Sequence, residues 1–190
     1  MAIYSYSQKI IPGPMGTTYD FQPGNTSYIR LGKLDNKFYL HIDDDSAILP
    51  QWTEISFQKD VLPEEILNNL KQEKITQINL IADKFDSVLK NESMIITSSL
   101  GYRLNADIRA QINLLSIFVA GEETAEIATV DHEVKTITLE QAKTISKEIT
   151  ENGKFLYTQK WTKFQQVAEA TTYDELAAVS TDFVMKDFTA

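Results

Sequence analysis

The chain contains no cysteine, which excludes disulfide staples and thiolate metal sites and leaves the redox compartment unread. His41 and His132 are its two histidines. Neither stands in the H-E-x-x-H spacing that places two imidazoles on one face of a zinc-protease helix. Glycine is scarce, seven in 190 residues. These glycines make no phosphate-cradling loop, and no serine sits in a G-x-S-x-G elbow. Long apolar runs are also missing. The nearest, Ile112 to Gly121, falls well short of the roughly 18 residues that span a bilayer, so no membrane insertion is expected. Met1-Ala2-Ile3-Tyr4-Ser5 lacks the basic start and apolar run of a signal peptide, so secretion by that route is not expected.

Positive charge is thin as well. Eighteen Lys and Arg stand against 27 Asp and Glu, for a net charge of −9. Nucleic-acid binding needs a concentrated basic surface, so no nucleic-acid partner is expected. The densest basic group, Lys147, Lys154, Lys160 and Lys163, has helical spacing and reads as the solvated face of one helix. Asp43, Asp44 and Asp45 are consecutive, whereas calcium loops spread their oxygen ligands over alternating positions around a glycine; a solvated strand end is the better reading. Glu122 and Glu123 are adjacent acids near a helix end. Two carboxylates about 5 to 10 Å apart in a cleft would be needed for glycan hydrolysis. No catalytic residue, metal or cofactor is implied, and the chain is not expected to be an enzyme.

A hydrophobic content of 43% in 190 residues is enough for one ordinary core, or for a compact domain with a smaller module. Residues 1 to 61 read as β structure and turns. Ile3, Tyr4 and Tyr6 predict a strand, followed by turns at Ile11-Pro12-Gly13-Pro14-Met15-Gly16 and Pro23-Gly24-Asn25. The runs Ser27 to Leu34 and Lys37 to Ile42 flank Asp35-Asn36, the pattern of a two-residue hairpin. Thr53 to Phe57 alternates polar and apolar residues and predicts a further strand.

From residue 62 the period changes. Pro63 with Glu64 and Glu65 marks a helix start, and Leu67, Leu70, Ile78, Ile81, Phe85 and Val88 form a stripe that runs to about Leu89. Met94 to Thr97 and Tyr102 to Leu104 predict a hairpin. A helix over Ile108 to Ala120 follows, capped by Asn105 or Asp107 and ended by Gly121. Its apolar residues cover most of its circumference, with Ile108, Ile112, Leu115 and Val119 in steps of four and three. This helix is therefore expected to be the most buried element, with Leu115 in the core.

Glu126 to Val130 and Val134 to Ile137 predict a second hairpin around Asp131-His132-Glu133. Thr138 with Gln141, and Thr172 with Glu175, match capping boxes. Between them a long helix presents Leu139, Ala142, Ile145, Ile149, Leu156, Phe164 and Val167 as its core face. Gly153 in mid-helix marks a kink or a close helix contact. Tyr157, Trp161 and Phe164, at helical spacing, read as core rather than as a sugar-stacking surface. Asp107, Gln111 and Asn113 are either a partner-binding patch or a cap with buried hydrogen bonds, the second being preferred.

Gly101-Tyr102, Asp107, Gln111-Ile112-Asn113, Ile137-Thr138 and Tyr157 with Trp161 occur here in a fixed order. In that order and spacing, residues 75 to 178 resemble a domain family of unknown function found in bacteriophage and prophage tail genes. Its members sit in tail-fibre, fibre-assembly and baseplate-neighbourhood proteins. Ile95 to Leu100 departs from the family, whose members more often carry a glycine and an aromatic there.

The resemblance implies a structural tail protein located in the virion, and in host cytoplasm during assembly, whose partners are other tail proteins. A fibre-assembly chaperone is the alternative, and an envelope-glycan enzyme a third reading. Self-association is expected, because tail assemblies are symmetric and a small sheet has edges to pair. The expected fold is α+β: a β module over residues 1–61 that anchors the protein, then a helical domain over residues 62–190 with two inserted hairpins. Tyr28, Phe38, Tyr39, Phe183 and Phe188 are the candidate partner-binding residues. Residues 62 to 190 are expected to fold without the β module.

Overall fold

The computed structural model describes residues 2–7, 28–42, 58–86 and 94–189. The turns expected at Ile11 to Gly16 and Pro23 to Asn25, the Asp43–Asp45 run, the strand at Thr53 to Phe57 and the end of the first helix lie outside the described residues. The fold is α+β and divides into two compact units. One comprises Met1–Glu73 with Ala170–Ala177, the other Lys74–Glu169 with Ala178–Ala190.

In the first unit, β1 (Ala2–Ser7), β2 (Tyr28–Leu34), β3 (Lys37–Ile42) and β4 (Gln58–Lys59) form an antiparallel sheet of order β2-β3-β1-β4. The β2–β3 turn is the expected Asp35-Asn36 pair, with φ of 47° and 63°. These short polar residues accept the left-handed conformation that matches the twist of a tight hairpin.

The pairing of β2 with β3 steps from Arg30–Leu40 to Gly32–Tyr39, so Leu31 bulges out of the ladder. A bulge re-aims one side chain. Here it buries Leu31 with Tyr39 and Ile66. Gly32, at φ 154°, leaves room for this contact, since a Cβ there would stand 3.0 Å from Ile66 Cγ2. The other face of β3 packs Leu40 and Ile42 with Tyr4 and Tyr6, and Tyr6 stacks on Phe38 at 5.1 Å.

Ser5 Oγ donates to Asp60 Oδ2 at 2.6 Å and the Val61 amide donates to Asp60 Oδ1 at 2.9 Å. These bonds, with Lys37 at 3.8 Å, hold the Asp60 carboxyl below its ordinary value.

Helix α1 (Glu64–Asp86) starts after Pro63 with two acids in its first turn, where the helix dipole favours negative charge. It begins in the first unit and continues into the second. Ile66 and Leu70 pack in the Leu31 cluster, as does Tyr173 from the short helix α4 (Tyr173–Ala178). The unit therefore recruits residues from both sides of position 61. A chain of residues 62 to 190 would uncover Ile66, Leu70 and Tyr173, and the contacts divide the chain elsewhere than at 61.

In the second unit, β5 (Ile95–Thr97) pairs with β6 (Arg103–Asn105), and β7 (Thr124–Ala128) with β8 (Val134–Thr138). Helices α2 (Ile108–Ala120) and α3 (Leu139–Glu169) join the later part of α1 in this unit. The caps of α2 and α3 are the expected ones. Asp107 Oδ1 accepts from the Ala110 amide at 2.8 Å, and Gly121 takes φ 66° at the α2 C-terminus. Thr138 and Gln141 exchange side chain–backbone bonds of 2.9 and 3.3 Å, satisfying two of the free amides at the start of α3. The core of this unit gathers Met94, Ile96, Leu104, Leu114, Ile137, Ala142, Ile145, Ile149 and Leu156.

Two expectations for α2 are overturned. Only Leu114 of this helix is buried, while Ile108, Ile112, Leu115 and Val119 are exposed. The core is met by Leu114 with Ala110, Ile117 and Phe118 behind it, nearly the opposite side of the helix. Of the two readings of Gly153, the close helix contact is not met, since nothing lies within 4 Å of where its Cβ would be.

Candidate interaction surfaces

The C-terminal segment is held as a strap along α3. Gln159 Nε2 donates to the Val184 carbonyl at 2.8 Å and Gln159 Oε1 accepts from the Val184 amide at 3.0 Å. Asn152 Oδ1 accepts from the Lys186 amide at 2.9 Å, and Lys163 Nζ donates to the Ser180 carbonyl at 2.9 Å. Three polar side chains of one helix thus take the backbone bonds that a strand would otherwise supply. Past them the Phe188 amide donates to the Thr97 carbonyl at 3.2 Å, and Asp187 bridges Thr97 in parallel. Phe183, Met185 and Phe188 pack on the core of the unit.

Of the candidate partner-binding residues, Phe183 and Phe188 are therefore half-buried on their own unit. Tyr39 is buried with Leu31 and Ile66, which commits its ring to the interior. Tyr28 and Phe38 are half-buried against the Tyr4–Tyr6 cluster. Tyr28, Phe38 and Tyr39 belong to the first unit, Phe183 and Phe188 to the second.

Surfaces that sequence periodicity assigned to the core lie open instead. On α3, Tyr157 and Trp161 are exposed. They form an edge-to-face ladder with Phe164, at 6.0 Å from Tyr157 to Trp161 and 5.6 Å from Trp161 to Phe164. Lys160 lies over the Phe164 ring at 5.8 Å. The expected placement of Tyr157 and Trp161 in the core is thus corrected. The inward face at this level is carried by Leu156 and Val167, both buried.

On α2, the exposed aliphatics stand in a single file. Asp107 is the buried N-cap, while Gln111 reaches α3 through a 2.9 Å bond to Thr150 Oγ1. The preferred reading of this polar group holds for the Asp107 cap, but the Gln111 bond, which ties α2 to α3, is exposed rather than buried. Asn113 is exposed.

A cleft of about 560 Å³ opens beside α2, floored by Leu104, Leu114, Ile145 and Ile149 and rimmed by Arg109, Asn113, Ser116 and Glu126. Asp107 and Glu126 both line it, and one oxygen of Asp107 is spent on the α2 cap.

Two buried polar residues had no signal in the periodicity. Glu148 Oε1 accepts from the Ser99 amide at 3.0 Å and so fixes the β5–β6 turn, and Asn152 grips the strap. Their partners lie 49 and 34 residues away, outside the reach of any local pattern. His41 is buried in the first unit, with Nε2 3.0 Å from Asp174 Oδ1 and its ring 4.7 Å from that of Tyr173. His132 is a turn residue at φ 63°. Among the described residues no group of three His, Asp or Glu is placed to hold a metal ion, and no helix is long and apolar enough to cross a membrane.

No family model matches this chain, and no curated protein or solved structure matches it.

Proposed function

We propose that the protein is a structural component of a bacteriophage tail, an adaptor or attachment protein at the fibre or baseplate that works through protein–protein contacts. The tail assignment rests on the resemblance over residues 75 to 178. The adaptor role is carried by one observation. An acidic chain holds aliphatic residues of α2 and aromatic residues of α3 in solvent, on hydrogen-bonded helices whose other faces already close a core. Contiguous exposed apolar side chains rimmed by polar ones mark interaction sites. Exposed Tyr and Trp are the side chains that interfaces favour. Its partners are other tail proteins and further copies of itself, and its place is the virion tail.

Mass spectrometry of purified particles tests this reading. The protein in fixed stoichiometry with fibre or baseplate proteins is the expected result. Association with an unassembled fibre protein but absence from particles would make it a fibre-assembly chaperone, a role for which the same exposed stripe could shield an immature fibre surface. Finding neither association would overturn both.

A further inference from the structure

We infer that the exposed face of α2 is a self-association surface, on which two copies of the chain pair their α2 helices antiparallel about a two-fold axis. Ile108, Ile112, Leu115 and Val119 are 44%, 57%, 57% and 81% exposed. Their 4-3-4 spacing is that of a helix-pairing seam. The helix is thus apolar on two separate sides, and among the described residues only the side bearing Leu114 is used by its own unit.

The four side chains offer on the order of 400 Å² of apolar surface per copy, the size at which a patch on a monomer is often functional. With the polar residues flanking it, a pair of copies buries about 1,000 to 1,200 Å², the lower end of specific interfaces. A dimer that forms in the micromolar range is expected.

Charge selects both the occupant and the direction. Arg109 is the single charged residue of α2 and stands in its first turn, while Glu122 and Glu123 follow its C-terminal Gly121. All three are exposed. Antiparallel pairing centred between Asn113 and Leu114 sets Ile108 against Val119 of the copy and Ile112 against Leu115. Arg109 then stands at the axial level of the copy's residue 118 and needs to reach about four residues, or 6 Å, along the axis to meet the copy's acidic pair. The two helix dipoles are opposed in the same arrangement. Parallel pairing would instead set Arg109 against Arg109 and acids against acids. An isologous interface of this kind closes at two copies and leaves the α3 aromatics free.

The inference rests on the self-association within the proposed function but not on the tail assignment, which particle composition tests separately. Sedimentation velocity of the full chain from 1 to 100 µM should show a monomer–dimer equilibrium. Leu115→Glu, and separately Ile112→Glu, should shift it to monomer at least tenfold in concentration, with circular dichroism unchanged, and with the thermal midpoint unchanged at concentrations where the wild type is also monomeric, because both positions face solvent. Arg109→Glu should weaken the dimer, and adding Glu122→Lys and Glu123→Lys should restore it. A wild-type monomer at 100 µM would overturn the inference and give the stripe to a different protein. So would a dimer indifferent to both Glu variants. Failure of the charge reversal to restore pairing would overturn the antiparallel arrangement.

Discussion

His41 Nε2 lies 3.0 Å from Asp174 Oδ1, joining strand β3 to a helix that begins 131 residues later in the chain (173 − 42). The His41 side chain is buried, while that of Asp174 is 61% exposed. The bond is therefore partly screened by water, and its net worth is about 1 kcal/mol rather than the larger value of an enclosed charged pair. A double-mutant cycle with His41→Gln and Asp174→Ala, followed by urea unfolding, should return a coupling of that size. Additive effects would show that burial of the imidazole, not the carboxylate, holds α4 in the first unit.

Leu114 and Leu115 are neighbours in α2 with opposite fates, 5% and 57% exposed. Leu114→Ala removes a core side chain and leaves a cavity, so it should cost about 2–5 kcal/mol. Leu115→Ala should stay within about 0.5 kcal/mol at concentrations where the protein is monomeric, as surface substitutions do. Chemical denaturation of the two variants side by side gives the comparison, and equal losses would mean that the helix is rotated from the orientation described.

Gly153 interrupts α3 without using the freedom glycine provides, since the space beyond its Cα is open. Gly153→Ala should raise stability by about 0.5–1 kcal/mol, by restricting the unfolded chain and removing the helix penalty of glycine. A higher thermal midpoint is the expected reading. A lower one would reveal a contact at this position.

The Asp60 carboxyl is held below its ordinary value of 3.8 chiefly by the Ser5 hydroxyl, then by the Val61 amide. A carboxyl depressed in the folded state binds fewer protons there than in the unfolded chain. Its stabilising contribution is therefore complete above the unfolded value and is lost as pH falls through the lower folded one. Ser5→Ala should raise the Asp60 midpoint in an NMR titration and make acid unfolding begin at higher pH. An unmoved midpoint would assign the depression to Val61 and Lys37 instead.

What the sequence determined by itself is the set of features whose partners lie within a few residues. The Asp35-Asn36 turn, the Asp107 cap, the Thr138–Gln141 and Thr172–Glu175 boxes and the two hairpins of the second unit are of this kind. Each is decided by short side chains bonding to nearby backbone, so composition and spacing are enough to read it. Periodicity also found the inward face of α3 at Ala142, Ile145, Ile149 and Leu156.

Only the tertiary structure decided which stripe of α2 is covered, that Tyr157 and Trp161 stay in solvent, and that Tyr39, Phe183 and Phe188 are drawn onto their own units. It also decided that Glu148 and Asn152 are buried polar residues, and that α4 packs with the N-terminal sheet. An apolar stripe records that something must exclude water from it, and the identity of that cover is a property of surfaces distant in sequence. In α2 the described residues supply one cover and leave the second stripe bare. A buried amide or carboxylate, likewise, is tolerated only where a remote backbone group meets it, and such a meeting exists only once the fold has formed.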